Sequence, residues 1–183
     1  MEYLRLSWND IQKQCAVIAK DIVKKEYDNY TIIGITRGGL APARILSDML
    51  DNNEIYTITI KFYQSVGKTA KKPKIASPIQ ADIKGKNILL VDDISDTGES
   101  LIVAKKHLEE KGAGRVIVAT LMKKPQTKFE PDIFAGETSA WVIFPWEVNE
   151  TIRDIKRSSK TLEEFKKEME KAGIDREEYR EFI

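Results

Sequence analysis

Apolar residues recur at two different spacings along this chain of 183 residues, and the spacing changes from one segment to the next. Apolar positions one helical turn apart predict helices, while β-branched or alternating runs predict strands. The predicted helices are residues 7 to about 26, 41–50 and 100–111. The predicted strands are residues 30–35, 54–62, 86–91, 115–122 and 140–144. This alternation predicts an α/β fold, with an open, mostly parallel, twisted sheet flanked by helices.

Two segments depart from this pattern. Residues 64–78 combine Gly67, two prolines and several lysines with little apolar content, which predicts a mobile loop. From residue 155 onward charged residues dominate, and Leu162, Phe165 and Met169 share one face of a predicted helix. Asp175 and Glu178 are placed to cap a short final helix beyond Gly173. We therefore predict a core domain at 1–154 and a charged helical extension at 155–183.

Composition narrows the classes of function. Lysine and arginine total 30 against 29 acidic residues, a net charge of +1, which disfavours attraction to nucleic acid or a membrane surface through bulk charge. The single cysteine, Cys15, leaves no partner for an internal disulfide and indicates a cytoplasmic location. We expect neither a signal peptide nor a transmembrane segment, since no apolar run approaches the roughly 20 residues that span a bilayer.

The stretch ILLVDDISDTGES at residues 88–100 carries most of the predicted chemistry. Its apolar residues lead directly into Asp92 and Asp93, and a loop rich in hydroxyl groups then leads into a helix. Open α/β sheets bind ligands at the carboxyl ends of their strands, and free N–H groups at a helix start favour a phosphate. Paired carboxylates suit ribose hydroxyls or Mg²⁺. The stretch therefore predicts a sugar-phosphate site.

This stretch resembles the signature of type I phosphoribosyltransferases, in which two acids and a D-T-G-x-S/T loop bind phosphoribosyl pyrophosphate (PRPP). Two other families place Asp-Asp after an apolar strand. P-loop NTPases also need G-x-x-x-x-G-K-[ST], but Phe62 stands where its first glycine should be. Receiver domains carry the acids on their first strand, whereas two predicted strand–turn units precede them here. The stretch IGITRGGL at residues 33–40 strengthens the resemblance.

The resemblance implies a role for each part of these motifs. Asp92 and Asp93 would bind the ribose and Mg²⁺, and Asp96 would be catalytic, taking the base proton or shielding a cationic ribose. The 5′-phosphate would be bound by Ser95, Asp96, Thr97, Gly98, Glu99 and Ser100. The pyrophosphate would be bound by Thr36, Arg37, Gly38 and Gly39, with a non-proline cis peptide bond expected between Thr36 and Arg37.

The resemblance also implies a small subdomain, called the hood, that holds the base. In relatives that act on 6-oxopurines, a lysine bonds O6, an aromatic residue stacks on the base, and the next residue's carbonyl meets the ring edge. By motif these are Lys124, preferred over Lys123, with Trp141 and Val142. A lysine suits a 6-oxo group, which accepts a hydrogen bond, whereas the 6-amino group of adenine donates one. Glu147 matches an acidic position near the metal or base and is a weaker candidate metal ligand.

These motifs predict an Mg²⁺-dependent purine phosphoribosyltransferase of purine salvage, with small-molecule substrates and a homo-oligomeric assembly, a dimer or tetramer. It would join a 6-oxopurine to PRPP and release pyrophosphate. The predicted loop at residues 64–78 falls where the family has a flexible catalytic flap. This chain departs from the family there, because the flap usually carries Ser-Tyr and this chain has Phe-Tyr-Gln-Ser at residues 62–65. Two alternatives remain. The base could be adenine or a pyrimidine, or the protein could be a PRPP- or nucleotide-sensing regulator of the same fold.

Overall fold

The computed structural model describes residues 1–27, 29–64 and 71–182. Its strands are β1 (Tyr3–Arg5), β2 (Tyr30–Thr36), β3 (Ile55–Gln64), β4 (Lys71–Ser77), β5 (Asn87–Ser95), β6 (Val116–Lys123), β7 (Ile133–Glu137) and β8 (Trp141–Ile143). Its helices are α1 (Trp8–Lys24), α2 (Leu40–Met49), α3 (Glu99–Glu110), α4 (Val148–Ser158), α5 (Leu162–Lys171) and α6 (Arg176–Tyr179), followed by a 3₁₀ turn at Arg180–Phe182. The chain forms two compact units, Gln12–Thr138 and Met1–Ile11 with Ser139–Ile183.

A mixed sheet organises the larger unit, with strand order β4-β3-β2-β5-β6-β7. Strands β3, β2, β5, β6 and β7 are parallel, and β4 pairs antiparallel with β3 at one edge. Strand β5 is central and its apolar run from Ile88 to Val91 is almost fully buried, as expected for a strand covered on both faces. The carboxyl ends of β2 and β5 therefore lie side by side, which brings the two sequence motifs to one edge.

Hydrophobic periodicity predicts the first helix well. Its apolar stripe, which consists of Ile11, Cys15, Ile18 and Ile22, is at most 1 % exposed. The capping box forms as expected, since the Asp10 N–H donates to Ser7 Oγ at 3.2 Å and the Ser7 N–H donates to Asp10 Oδ2 at 2.9 Å.

The smaller unit contains a two-stranded parallel sheet, β1 with β8. Residues of α4, α5 and α6 form one apolar cluster with Ile143 of β8, and Phe165 meets Tyr179 edge-on at a centroid distance of 5.4 Å. The predicted capping box of the last helix is present, because Asp175 and Glu178 exchange hydrogen bonds. The boundary predicted after residue 154 falls inside α4, whose Ile152 and Ile155 belong to this cluster.

Some local predictions were wrong. Residues 71–77, expected to belong to a loop, form β4, because backbone pairing with β3 compensates for their weak apolar pattern. Residues 65–70 of the predicted loop lie outside the described residues. The sequence pattern also missed β1, β7 and α4, which are short or follow turn-rich segments. Leu162 is 49 % exposed, although Phe165 and Met169 of the same predicted face are buried.

Candidate active site

The two carboxylates at the end of β5 are buried. Asp92 and Asp93 are 8 % and 7 % exposed, and the Asp93 N–H donates to Asp92 Oδ1 at 3.0 Å. Strand β5 places Asp92 in register with Thr120 of β6. A buried carboxylate needs polar partners, and both aspartates have further interactions within the protein. The pair is thus a fixed polar feature at the edge of the sheet.

The loop after β2 approaches these carboxylates through its glycines. The peptide bond between Thr36 and Arg37 is cis, as the resemblance implies. A methyl group on Gly38 would lie 2.0 Å from Asp93 Oδ2, and one on Gly39 would lie 2.3 Å from the Val91 carbonyl oxygen. Only residues without a side chain allow this approach. The structure therefore brings together the two motifs, whose contacting residues Gly38 and Asp93 lie 55 positions apart in the sequence.

The loop between β5 and α3 ends in a left-handed glycine. Gly98 has φ +78° and precedes the first residue of α3, Glu99. Asp96 and Thr97 on this loop are exposed, whereas Gly98 is buried. The Glu99 N–H donates to Thr97 Oγ1 at a long 3.4 Å. A helix start preceded by an exposed, hydroxyl-bearing loop is a site at which backbone N–H groups bind an anion.

The side chain of Ser95, the last residue of β5, is buried, unlike the exposed side chains of the loop that follows it. It is 0 % exposed, and its hydroxyl donates to the Phe129 carbonyl at 3.0 Å and lies 2.8 Å from Thr127 Oγ1. The neighbouring Lys128 N–H donates to the Thr97 carbonyl at 3.1 Å. The Ser95 hydroxyl therefore holds the segment after β6 against this loop, a positioning contribution that the sequence pattern does not reveal.

Two lysines follow one another at the end of β6 and differ in environment. The Lys123 ammonium lies 2.6 Å from Glu130 and 3.1 Å from Glu137, and the hydrogen bond that it donates to Glu130 raises the pKa of Lys123. Lys124 is 6 % exposed, and its N–H donates to the Ser95 carbonyl at 2.9 Å. The main chain of Lys124 is thus hydrogen-bonded to the last residue of β5, while the side chain of Lys123 is engaged with two glutamates.

The remaining candidates belong to the smaller unit. Trp141 is 51 % exposed and Val142 is 7 % exposed, and the Trp141 N–H donates to the Glu2 carbonyl at 2.9 Å. Glu147 immediately precedes α4 and is half-buried. A cavity of about 360 Å³ in this unit is lined by Trp141, Glu147 and Tyr3, among other residues. The sequence reasoning missed Tyr3, whose pairing opposite Trp141 becomes visible only in the β1–β8 register.

The structure describes part of the segment that the resemblance implies is a flap. Strands β3 and β4 pair antiparallel up to Gln64 and Lys71, and Lys72 and Lys74 are exposed on β4. Lys68 lies outside the described residues, as does the side chain of Lys71.

The donor atoms at the end of β5 fit a magnesium ion shared with a substrate. Within residues 1–27, 29–64 and 71–182, no group of three or more His, Cys, Asp or Glu side chains could hold a metal ion. Mg²⁺ is typically held by one or two carboxylates together with substrate phosphates rather than by a complete protein cage. The paired carboxylates of Asp92 and Asp93 meet that requirement.

Comparison with known proteins agrees with this geometry. The family described as "Phosphoribosyl transferase domain" matches residues 6–153. The chain belongs to the phosphoribosyltransferase family. It is similar to a xanthine-guanine phosphoribosyltransferase of Cereibacter sphaeroides, with 31 % identity over 150 residues that cover 78 % of this chain and 86 % of that one. The predicted type I phosphoribosyltransferase fold is therefore confirmed.

Solved structures of this family show the same fold. A purine phosphoribosyltransferase of Pyrococcus horikoshii superposes with a TM-score of 0.72 at 37 % identity, covering 80 % of this chain and 94 % of that one. A xanthine-guanine-hypoxanthine phosphoribosyltransferase of Helicobacter pylori superposes with a TM-score of 0.70 at 26 % identity, covering 85 % and 99 %. Separately, no helix among the described residues is long and apolar enough to cross a membrane.

Proposed function

We propose that this phosphoribosyltransferase transfers the phosphoribosyl group of PRPP to a purine base, a 6-oxopurine, and so serves purine salvage. The products are a nucleoside 5′-monophosphate and pyrophosphate. The observation that carries the proposal is the contact between the two PRPP motifs, where Gly38 meets the Asp93 carboxylate. The relatives named for xanthine, guanine and other purines support a purine as the acceptor.

Three segments of the larger unit would bind PRPP: the start of α3, the loop after β2 and the end of β5. The backbone N–H groups at 96–100, with the hydroxyls of Thr97 and Ser100, would hold the 5′-phosphate at the start of α3. Arg37 and the backbone of Gly38 and Gly39 would hold the pyrophosphate, because glycine lets N–H groups close on an anion. Asp92 and Asp93 would accept hydrogen bonds from the ribose hydroxyls. Thr36 stays a predicted contact to the pyrophosphate and Ser95 to the 5′-phosphate. In the protein, Thr36 Oγ1 donates to Thr59 Oγ1 and Ser95 Oγ donates to the Phe129 carbonyl, which would hold both residues in position.

Mg²⁺ is the metal ion that these carboxylates fit. Asp92 and Asp93 would hold it, with Glu147 as a weaker candidate, and the bound ion would neutralise charge on the pyrophosphate as that group leaves. The protein itself contributes the positive charge of Arg37 for the same purpose.

Asp96 is the proposed catalytic residue. Positive charge develops on the ribose as its bond to pyrophosphate weakens, so electrostatic stabilisation matters more than a nucleophile. Asp96 is exposed on the loop that precedes α3, where its carboxylate is free of the strand's packing. It would shield the ribose cation or accept the proton that the base loses at N7 or N9.

Base recognition is proposed for three residues. Lys124 would donate a hydrogen bond to the 6-oxo group, since an ammonium only donates. Trp141 offers an exposed indole face for stacking. Val142 would present its main-chain carbonyl to the ring edge. A homo-oligomeric assembly and a cytoplasmic location stay predictions from the sequence.

A base panel tests the proposal. The protein is incubated with PRPP and Mg²⁺ and offered hypoxanthine, guanine, xanthine, adenine or uracil, and pyrophosphate release is measured. We expect release with at least one 6-oxopurine and much less with adenine or uracil. Omission of Mg²⁺ serves as the control for metal dependence. Absence of release with every base would overturn the proposal, and release with adenine or uracil alone would overturn the assignment of the acceptor.

A further inference from the structure

The strand that carries the proposed base-binding residues belongs to a minimal sheet. Trp141 and Val142 lie on β8, which pairs only with β1 among the described strands, with Tyr3 opposite Trp141 and Leu4 opposite Val142. A two-stranded sheet is at best marginally stable by itself and needs packing against other elements. The position of Trp141 therefore depends on what holds this strand pair.

Apolar residues of the carboxyl-terminal helices pack against that strand pair. Ile143, the residue that ends β8, is 0 % exposed and shares a cluster with Phe165 and Met169 of α5 and Tyr179 of α6. Tyr3 of β1 packs against the same cluster. Burial of these apolar side chains stabilises the packing of the helices on the short strand pair.

Polar contacts attach β1 to the same helices at two points. Arg5 makes a bidentate ion pair with Glu178, with Nη1 to Oε2 at 2.9 Å and Nη2 to Oε1 at 2.5 Å, and also donates to the Gly173 carbonyl. The Tyr3 hydroxyl donates to Glu168 Oε2 at 3.3 Å. Glu178 is itself fixed, because Oε2 accepts the Asp175 N–H at 3.0 Å within the capping box.

These contacts lie outside the matched family domain, which ends at residue 153. We propose that residues 159–182 form a brace that holds the β1–β8 pair in place for base recognition, with Glu178 and Glu168 as positioning residues. The brace acts on Trp141 and Val142 through their register partners Tyr3 and Leu4. This inference rests on the proposed function, and it adds a determinant of base affinity that does not touch either substrate.

Glu178→Ala tests the brace, with Glu177→Ala as the matched control. Glu177 is the preceding residue of α6. It pairs with Arg180, three residues away, at 3.0 Å, and its side chain is 83 % exposed. We expect Glu178→Ala to raise the KM for the 6-oxopurine about three- to fivefold, the effect of losing a partly exposed bidentate pair. The KM for PRPP should stay unchanged, and Glu177→Ala should change neither constant.

Two further variants separate positioning from a general loss of structure. Glu178→Gln keeps an acceptor for Arg5 and for the Asp175 N–H, so it should recover part of the base affinity. In a Trp141→Ala background, Glu178→Ala should add little to the KM for the base, because both changes act through the same strand. Thermal unfolding of each variant reports whether the fold is retained.

Failure of the brace proposal can be distinguished from failure of the proposed function. If the wild-type protein releases no pyrophosphate with any base, the proposed function fails and the brace loses its purpose. If the wild-type protein is active but Glu178→Ala raises both KM values equally, or neither, the brace is refuted while the proposed function stands. Full additivity with Trp141→Ala would also refute it.

Discussion

At the scale of single residues, the two adjacent lysines at the end of β6 differ because their contacts differ. The resemblance favours Lys124 because it immediately precedes Pro125, but sequence alone leaves two adjacent ammonium groups of equal chemistry. In the structure the Lys123 ammonium is bound by Glu130 and Glu137, and Lys124 is buried beside the β5–α3 loop. Glu137 lies fourteen residues away on β7, a strand that the sequence pattern missed, so this difference was not predictable.

Substitution of these lysines should therefore have unequal effects. We expect Lys124→Ala to raise the KM for a 6-oxopurine about ten- to a hundredfold, the effect of removing a charged hydrogen-bond donor. The KM for PRPP should change much less. Lys123→Ala is the control and should leave the KM for the base unchanged. Steady-state kinetics with each substrate varied in turn measures both, and an unchanged base KM in Lys124→Ala would move the contact elsewhere.

Asp96 is the residue whose role is catalytic rather than structural in this proposal. Asp96→Asn keeps the size and polarity of the side chain but removes its charge. We expect kcat to fall about a hundredfold or more, as for loss of a general base, while the KM for PRPP changes little. Equal losses in kcat and in PRPP binding would indicate a binding role instead.

At the scale of elements, local periodicity and capping were sufficient where an element has a strong pattern of its own. The first helix and the central strand β5 are of this kind, with an apolar stripe and a continuous apolar run. Strand β4 has no such pattern of its own. Its residues Lys72, Pro73 and Lys74 do not predict a strand, and the strand forms through its pairing with β3. Long-range hydrogen bonds are not encoded in a local window, which explains the misprediction.

The contact between the β2 loop and the end of β5 predicts a severe effect for one methyl group. Gly38→Ala would place its Cβ within 2.0 Å of Asp93 Oδ2, so the loop or the carboxylate must move. We expect a rise in the KM for PRPP of about tenfold or more, because pyrophosphate and ribose contacts are both displaced. Gly85→Asn is a suitable control. A Cβ atom there meets nothing within 4 Å, and asparagine tolerates the local φ of +73°. A wild-type KM for PRPP in Gly38→Ala would refute the contact.

At the scale of the whole molecule, carboxylates paired with cations link stability to pH. Hydrogen bonds from Arg5, Lys86 and Lys171 hold the pKa values of Glu178, Glu54 and Glu168 below their ordinary value of 4.5. The unfolded chain therefore binds protons at a higher pH than the folded one. The stabilisation is complete above pH 4.5 and is lost as the pH falls through the lowered values.

Urea unfolding at pH 7, 5, 4 and 3 checks this linkage. We expect the midpoint to be similar at pH 7 and 5 and to fall progressively at pH 4 and pH 3, below the ordinary pKa value of 4.5. Glu178→Gln should show a smaller fall, since one of the three groups no longer titrates. A midpoint that is independent of pH over this range would contradict the assignment.

The sequence by itself determined the α/β class, the main strands and helices, and the PRPP motifs, because each depends on residues that are close in the chain. Tertiary structure decided which residues those motifs meet. Gly38 reaches Asp93, the Ser95 hydroxyl is engaged by Phe129, and Lys123 is bound by glutamates from two other segments. It also decided that the charged tail packs on the β1–β8 pair, since the two short strands at residues 3–5 and 141–143 meet only after folding.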